Sequence, residues 1–297
     1  MIVLQAKLLL DVQAELGEGS FWHSDQQRLY WLDVELKQLH CFDPLSQVNL
    51  SESLDRRVAC VVPTNDQSLL LSGEGGIEEY WPETDEWAFL ANPEPDQPTN
   101  RLNDGKCSPE GRFWFGSLNM AKESHQASLY VKDHDGSVRQ ILSGLTNSNG
   151  LGWSPDGKTF YHIDTPTRQV SAFDYDARIG GIRNRRIVVR FPDDPGFGLP
   201  DGMTVDSEGM LWIAHWEGAC VSRWNPETGK ILAIVQVPAT QVTSVAFGGE
   251  HLDTLYITTA RMRLASENLV GQPNAGGLFG VKPDVTGLPT NFFRWAD

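Results

Sequence analysis

The chain is poor in the residues that carry several familiar chemistries. Its 297 residues include four cysteines, Cys41, Cys60, Cys107 and Cys220, standing far apart with no CxxC pair. Such spacing offers neither a thiolate metal site nor a redox motif, and reads as buried free thiols. The seven histidines, His23, His40, His125, His134, His162, His215 and His251, show no HExxH or HxH spacing, which argues against a histidine-based zinc centre. No Gly-x-Ser-x-Gly elbow is present for a serine hydrolase. No apolar run reaches membrane-spanning length, and Met1 to Leu10, interrupted by Gln5 and Lys7, lacks a basic start and a following cleavage site. With the scattered thiols, this leads to the expectation of a cytoplasmic protein. Positive charge is also scarce: 24 Lys and Arg face 39 Asp and Glu, a net charge of −15. That balance argues against nucleic acid or an anionic membrane as partner, and suits a neutral or cationic ligand or a metal.

Apolar spacing of helical period is nearly absent, so no helix is predicted anywhere. What the chain has instead is 28 glycines, 17 prolines and ten tryptophans, the composition of short strands joined by turns. These recur as a unit. Ser154-Pro155-Asp156-Gly157 followed by Thr159-Phe160-Tyr161-His162-Ile163 has close counterparts in Ser108-Pro109-Glu110-Gly111 with Phe113-Trp114-Phe115, and in Asp206-Ser207-Glu208-Gly209 with Leu211-Trp212-Ile213. Weaker copies surround Trp22 to Asp33, Val62 to Leu71 and Ala246 to Thr258. The period of roughly 45 residues is that of a four-stranded propeller blade. About six units exhaust the chain, which predicts an all-β, six-bladed β-propeller of four-stranded antiparallel blades as a single domain over residues 1–297. Val3 to Val12 precedes the first unit and is expected to pair into the last blade and close the ring. Loops at Asn92 to Asn100, Met120 to Ala127 and Arg190 to Leu199 are expected to cover one face.

A propeller gathers the starts of its inner strands around a central channel, so polar residues there converge from distant parts of the sequence. Scanning those positions gives Glu18, Asn103, Asn149 and Asp201, in Leu16-Gly17-Glu18-Gly19, Arg101-Leu102-Asn103-Asp104-Gly105, Ser148-Asn149-Gly150 and Pro200-Asp201-Gly202. Each pair alone is a common turn signal. Their recurrence at equivalent places makes a ring of two carboxylates and two amides, the oxygen set that hard divalent cations favour.

Across nearly its whole length, and most specifically in Asn100-Arg101-Leu102-Asn103-Asp104-Gly105-Lys106, Ser148-Asn149-Gly150-Leu151 and Pro200-Asp201-Gly202-Met203, the chain resembles the senescence marker protein, gluconolactonase and luciferin-regenerating enzyme family. The resemblance implies a six-bladed propeller with one divalent ion in its channel, Ca²⁺, Zn²⁺, Mn²⁺ or Mg²⁺, held by Glu18, Asn149 and Asp201. It further implies that Arg101 and Asn103 bind substrate, and that the reaction is hydrolysis of a sugar lactone to the aldonic acid. Asp201 is then the expected general base for the attacking water. Relatives acting on hexonolactones often carry acidic residues after the third blade's aromatic strand, where this chain reads Gly116-Ser117-Leu118-Asn119-Met120-Ala121, so a hydroxyl-binding carboxylate is expected to be missing. Two other readings stand beside this one: a noncatalytic calcium- or protein-binding propeller, and a metal-dependent esterase or phosphotriesterase. A monomer or dimer is expected. Asp133-His134-Asp135-Gly136-Ser137 is similar to the start of a calcium loop, but its twelfth position is Gly144, so a hairpin turn is predicted. His215, beside Trp216, is expected in the core or at the pocket rim.

Overall fold

The computed structural model of the chain describes residues 1–296. Six sheets, each of at least four strands, follow one another along the sequence as a six-bladed β-propeller. Their innermost strands are Gly17–His23, Val58–Pro63, Asn100–Cys107, Ser148–Trp153, Leu199–Val205 and Gln241–Gly248, for blades 1 to 6 respectively. The second strands are buried on both faces because each blade is sandwiched between two others. Leu29, Trp31, Phe113, Trp114, Phe160, Leu211 and Trp212 are all shielded from solvent in this way. Outer strands such as Val48–Ser53 lie largely in water. This gradient explains why the aromatic second strand was the clearest mark of each unit in the sequence.

The turns after three inner strands are held by a short polar side chain at their first position. Ser108 Oγ and Ser154 Oγ accept from the Arg112 and Thr159 N–H groups at 3.0 Å each, and Asp206 Oδ1 accepts from the Met210 N–H at 2.9 Å. These are the local bonds that favour Ser and Asp at turns. The Asp133 to Ser137 segment is a turn between Ala127–Lys132 and Val138–Leu145, in which Asp135 Oδ1 accepts from the Ser137 N–H at 2.9 Å. Its Asp133 carboxylate is taken up by Arg112 and Arg139, as a structural turn requires.

The amino-terminal segment differs from the expectation. Only Lys7–Leu10 enters the last blade, as its outer strand against Leu278–Val281. Ile2–Gln5 runs parallel to Lys230–Gln236 and adds a fifth strand to blade 5. The cause is packing: Leu4 and Ala6 join the apolar cluster between blades 5 and 6, whereas Leu9 and Leu10 join the one between blades 6 and 1. The ring therefore closes noncovalently, and Trp22 of blade 1 stacks on Tyr256 of blade 6 at 5.7 Å across the seam. Such a stack adds about 0.5–1.5 kcal/mol beyond area burial. Helix is not wholly absent: Ser266–Gly271 forms one short α-helix between two strands of blade 6.

After Val281 the chain crosses the far end of the channel. Gly287 pairs with Asp206, Asn291 Nδ2 donates to Cys107 O at 3.2 Å, and Phe293 pairs with Thr64. Blades 5, 3 and 2 are thereby bridged by one strap, with Phe293 fully buried.

Candidate functional site

All six inner strands lose register against their second strand at the same height, between Glu18 and Phe21, Val58 and Cys60, Leu102 and Gly105, Asn149 and Leu151, Pro200 and Met203, and Val242 and Val245. A bulge of this kind re-aims side chains and ends regular pairing. The residues at or beside the break are Glu18 in blade 1, Ala59 in blade 2, Asn103 and Asp104 in blade 3, Asn149 in blade 4, Asp201 in blade 5, and Thr243 and Ser244 in blade 6. The glycines that follow the site residues let neighbouring inner strands approach. A Cβ on Gly150 would lie 2.8 Å from Asp201 O, and one on Gly202 would lie 2.7 Å from Thr243 O.

The four residues picked from the sequence are thus brought together. Asn103 Nδ2 donates to Asn149 Oδ1 at 3.3 Å and to Ser148 O at 2.9 Å. Glu18 accepts one bond, from the Gly19 N–H at 3.2 Å. Its carboxyl is pushed well above the usual carboxylate range, first by burial and then by Asp201 and Asp104. Asp201 is raised likewise, by burial and by Asp104, while hydrogen bonding from Asn149 and the charge of Arg101 act the other way. Arg101 is buried. Its Nη1 donates to Asn103 Oδ1 at 2.7 Å and to Leu102 O at 3.0 Å, rather than pairing with Asp104. Burial lowers the guanidinium below its ordinary value, against the pull of Glu18, Glu35 and Glu74. A guanidinium stays protonated regardless.

Two ionisable residues here were not singled out from the sequence. Asp104 and Lys106 both face the channel interior, the carboxyl raised and the ammonium lowered by burial. Lys106 Nζ donates to Met203 O at 2.7 Å. Their signal was in hand, since both lie in the Asn100 to Lys106 motif. Below the ring the channel holds a cavity of about 290 Å³, walled by Ser20, Asp104, Lys106 and Ser244 and floored by Leu288 to Asn291. Between blades 2 and 3, a cleft of about 260 Å³ bounded by Gly73–Gly76 and the Asn92 to Asn100 loop reaches Arg101.

The stretch after the third blade's aromatic strand has structural work. Ser117 Oγ donates to Glu94 Oε1 at 2.8 Å, and Asn119 Nδ2 donates to Asn100 Oδ1 at 2.9 Å. Glu94, buried, also accepts from Tyr130 OH and Asn100 Nδ2 at 2.8 and 3.0 Å, so its oxygens hold the loop before Arg101. His215 lies in blade 5, fully buried, bonded through Nδ1 to Phe197 O and through Nε2 to Ser222 Oγ. Burial lowers its pKa to about 4, and it takes no part in the ring. The cysteines are unpaired, three of them buried.

Among the described residues no three His, Cys, Asp or Glu side chains form a metal cluster by themselves. The donor set here is of another kind, two carboxylates with amide oxygens. Glu18 and Asp201 are crowded together and, among the described residues, neither forms a salt bridge, Arg101 acting on both only through its charge, which is a set that a hard divalent cation fits.

Fold and channel together define a propeller with an acidic, amide-lined site at one mouth. The family model for the SMP-30/Gluconolactonase/LRE-like region matches residues 16–261, and the chain belongs to that family. It is 38% identical to a Bacillus subtilis protein named "Putative sugar lactone lactonase YvrE", over 96% of this chain and 97% of that one. It is 36% identical to regucalcin of Danio rerio, over 97% and 98% of the two chains. Among solved structures, a calcium-binding protein, regucalcin, of Agrobacterium tumefaciens superposes with a TM-score of 0.94 at 26% identity, covering 99% of each chain.

Proposed function

We propose that the protein is a metal-dependent sugar lactonase, with Glu18, Asn149 and Asp201 as the metal ligands and Arg101 and Asn103 as the substrate-binding residues. The observation that carries this is the crowding of Glu18 and Asp201 without a paired cation, beside a buried arginine held by Asn103. The family and the lactonase name of the Bacillus subtilis relative support the reaction class. A bound divalent cation supplies Lewis-acid polarisation of the lactone carbonyl and a water of lowered pKa.

The chain's own groups do the rest. Asp201 accepts the proton of the water that adds to the carbonyl carbon. Arg101 donates to the carbonyl or ring oxygens and steadies the negative charge that develops there. Asn103 orients Arg101 through the 2.7 Å bond to its Nη1. As the ring carbon–oxygen bond breaks, Asp201 returns that proton to the departing ring oxygen, which leaves as a hydroxyl, and the product is the open-chain acid. The cleft beside Arg101 receives the sugar, and with Glu94 fully engaged it offers no free carboxylate from that residue to a substrate hydroxyl. A reducing, cytoplasmic setting suits the four unpaired thiols.

The test is turnover on a panel of pentono- and hexonolactones by chelator-stripped protein, with each divalent cation added back. Activity that returns with metal supports the reading. Stoichiometric metal binding without turnover on any lactone overturns the lactonase assignment in favour of another ester-like electrophile or a binding role.

A further inference from the structure

Asn149 has two amide atoms, and only the oxygen suits a cation. Which of them turns away from blade 4 is decided by a neighbour. Asn149 Nδ2 donates to Thr165 Oγ1 at 3.0 Å. The Thr165 hydroxyl has a single proton, and that proton goes to Pro200 O at 2.8 Å. Its oxygen is therefore left as an acceptor on the Asn149 side. A flipped amide would press Oδ1 against an oxygen with no proton to give. On the other side of the amide, Asn103 Nδ2 donates to Oδ1, which agrees with the same orientation.

Thr165 is itself firmly placed. It is buried, opens the short 3₁₀ turn Thr165–Thr167, and its N–H donates to Asn147 O at 3.0 Å. The preceding Asp164 holds the Thr146 and Asn147 N–H groups at 3.2 and 2.9 Å, directly ahead of Ser148 and Asn149. Pro200, at the other end of the hydroxyl's bond, immediately precedes Asp201. One hydroxyl thus ties the side chain of one site residue to the backbone beside the next, across the junction of blades 4 and 5.

We infer that Thr165 is a positioning residue of the metal centre: it fixes the Asn149 amide with its nitrogen toward Thr165 and its oxygen on the opposite side, where a lone pair beyond the one taken by Asn103 Nδ2 is left for the cation, and it holds the Pro200-Asp201 strand beside it. This rests on the reading of Glu18, Asn149 and Asp201 as metal ligands. Outer partners of metal ligands commonly change affinity by about 10–100-fold when removed.

The experiment is calorimetric titration of calcium and of manganese into chelator-stripped wild type, Thr165→Val and Thr165→Ser, with unfolding of the metal-free proteins followed alongside. Thr165→Val keeps the shape without the hydroxyl and is expected to weaken the cation about 10–100-fold. Thr165→Ser keeps the hydroxyl and is expected to restore wild-type affinity. A valine variant that binds as tightly as wild type overturns the role of Thr165 and leaves the metal centre standing. A wild type that binds neither of these, nor magnesium or zinc titrated in the same way, overturns the metal centre and this inference with it. Should the valine variant fail to fold, Thr165→Ala carries the same expectation, because it removes the hydroxyl without setting a new methyl against Pro200.

Discussion

At the lower mouth of the channel Asp206 accepts from four donors, the Glu208 and Met210 N–H groups, Trp212 Nε1 and Arg223 Nε. At the upper mouth Glu18 accepts from one, the N–H of the next residue. Both carboxylates sit at the ends of inner strands of the same ring, so the difference is not one of fold. The lower end is closed on itself: Arg112 is shared by Asp133, Glu110 and Ala177 O, and Lys132 lies over Trp295 of the carboxy-terminal strap. The upper end gathers Glu18, Asp104 and Asp201 so that each is held protonated more readily than usual. Charge left without a partner destabilises a fold, and proteins tolerate it where a ligand is to complete the set. On the proposed function, the two mouths divide stability from chemistry.

Substitutions should separate them. The largest effect is expected from Asp201→Asn, which keeps the shape and removes the proton acceptor; lactone turnover should fall by about 10²–10⁴-fold with the unfolding midpoint no lower. Full turnover in that variant would remove the proposed base. At the other mouth, Asp206→Ala leaves Arg223 and Trp212 without their shared acceptor, and should cost about 3–5 kcal/mol in denaturant unfolding. Turnover per folded molecule should be unchanged. A loss of activity larger than the loss of folded protein would mean that the mouths are coupled.

A smaller effect, of opposite sign, is expected from Glu18→Gln. Removing one of two crowded carboxylates should raise the stability of the metal-free protein by roughly 0.5–2 kcal/mol, while calorimetry shows cation binding lost. A pH effect is expected in the blades as well. Burial lowers the pKa of His162 to about 3 and that of His215 to about 4. The unfolded chain takes up these protons near pH 6.5. The folded state disfavours them, so their contribution is fully present above pH 6.5 and is lost progressively as pH falls toward 4. Urea midpoints at pH 7 and pH 5 should therefore differ less for His162→Gln than for wild type.

Much of this was legible because it is written locally. The Ser108, Ser154 and Asp206 turns bond to residues four or five positions on, and the aromatic second strands are buried by every blade alike. The convergence of the four candidate residues was legible for a related reason: Glu18, Asn103, Asn149 and Asp201 lie at or beside the same register break of their inner strands, so recurrence marked them as neighbours. The strap from Gly287 to Ala296 gave no such signal. It belongs to no blade, and its value lies in reaching Asp206, Cys107 and Thr64, remote in sequence. The split of the amino terminus was equally hidden, because Ile2–Gln5 and Lys7–Leu10 are continuous in sequence but pack on different blades.

The sequence by itself determined the ring, its repeat and the oxygen atoms that face its channel, since each depends on alternation and turn chemistry within a few residues. Only the tertiary structure decided how those atoms are held. Thr165 meets Asn149 and Pro200, Glu94 meets Ser117 and Tyr130, and Asp201 raises the carboxyl of Glu18 because ring closure brings distant strands to one height. Hydrogen-bond direction and the cost of burying charge depend on those distances, and no spacing along the chain encodes them.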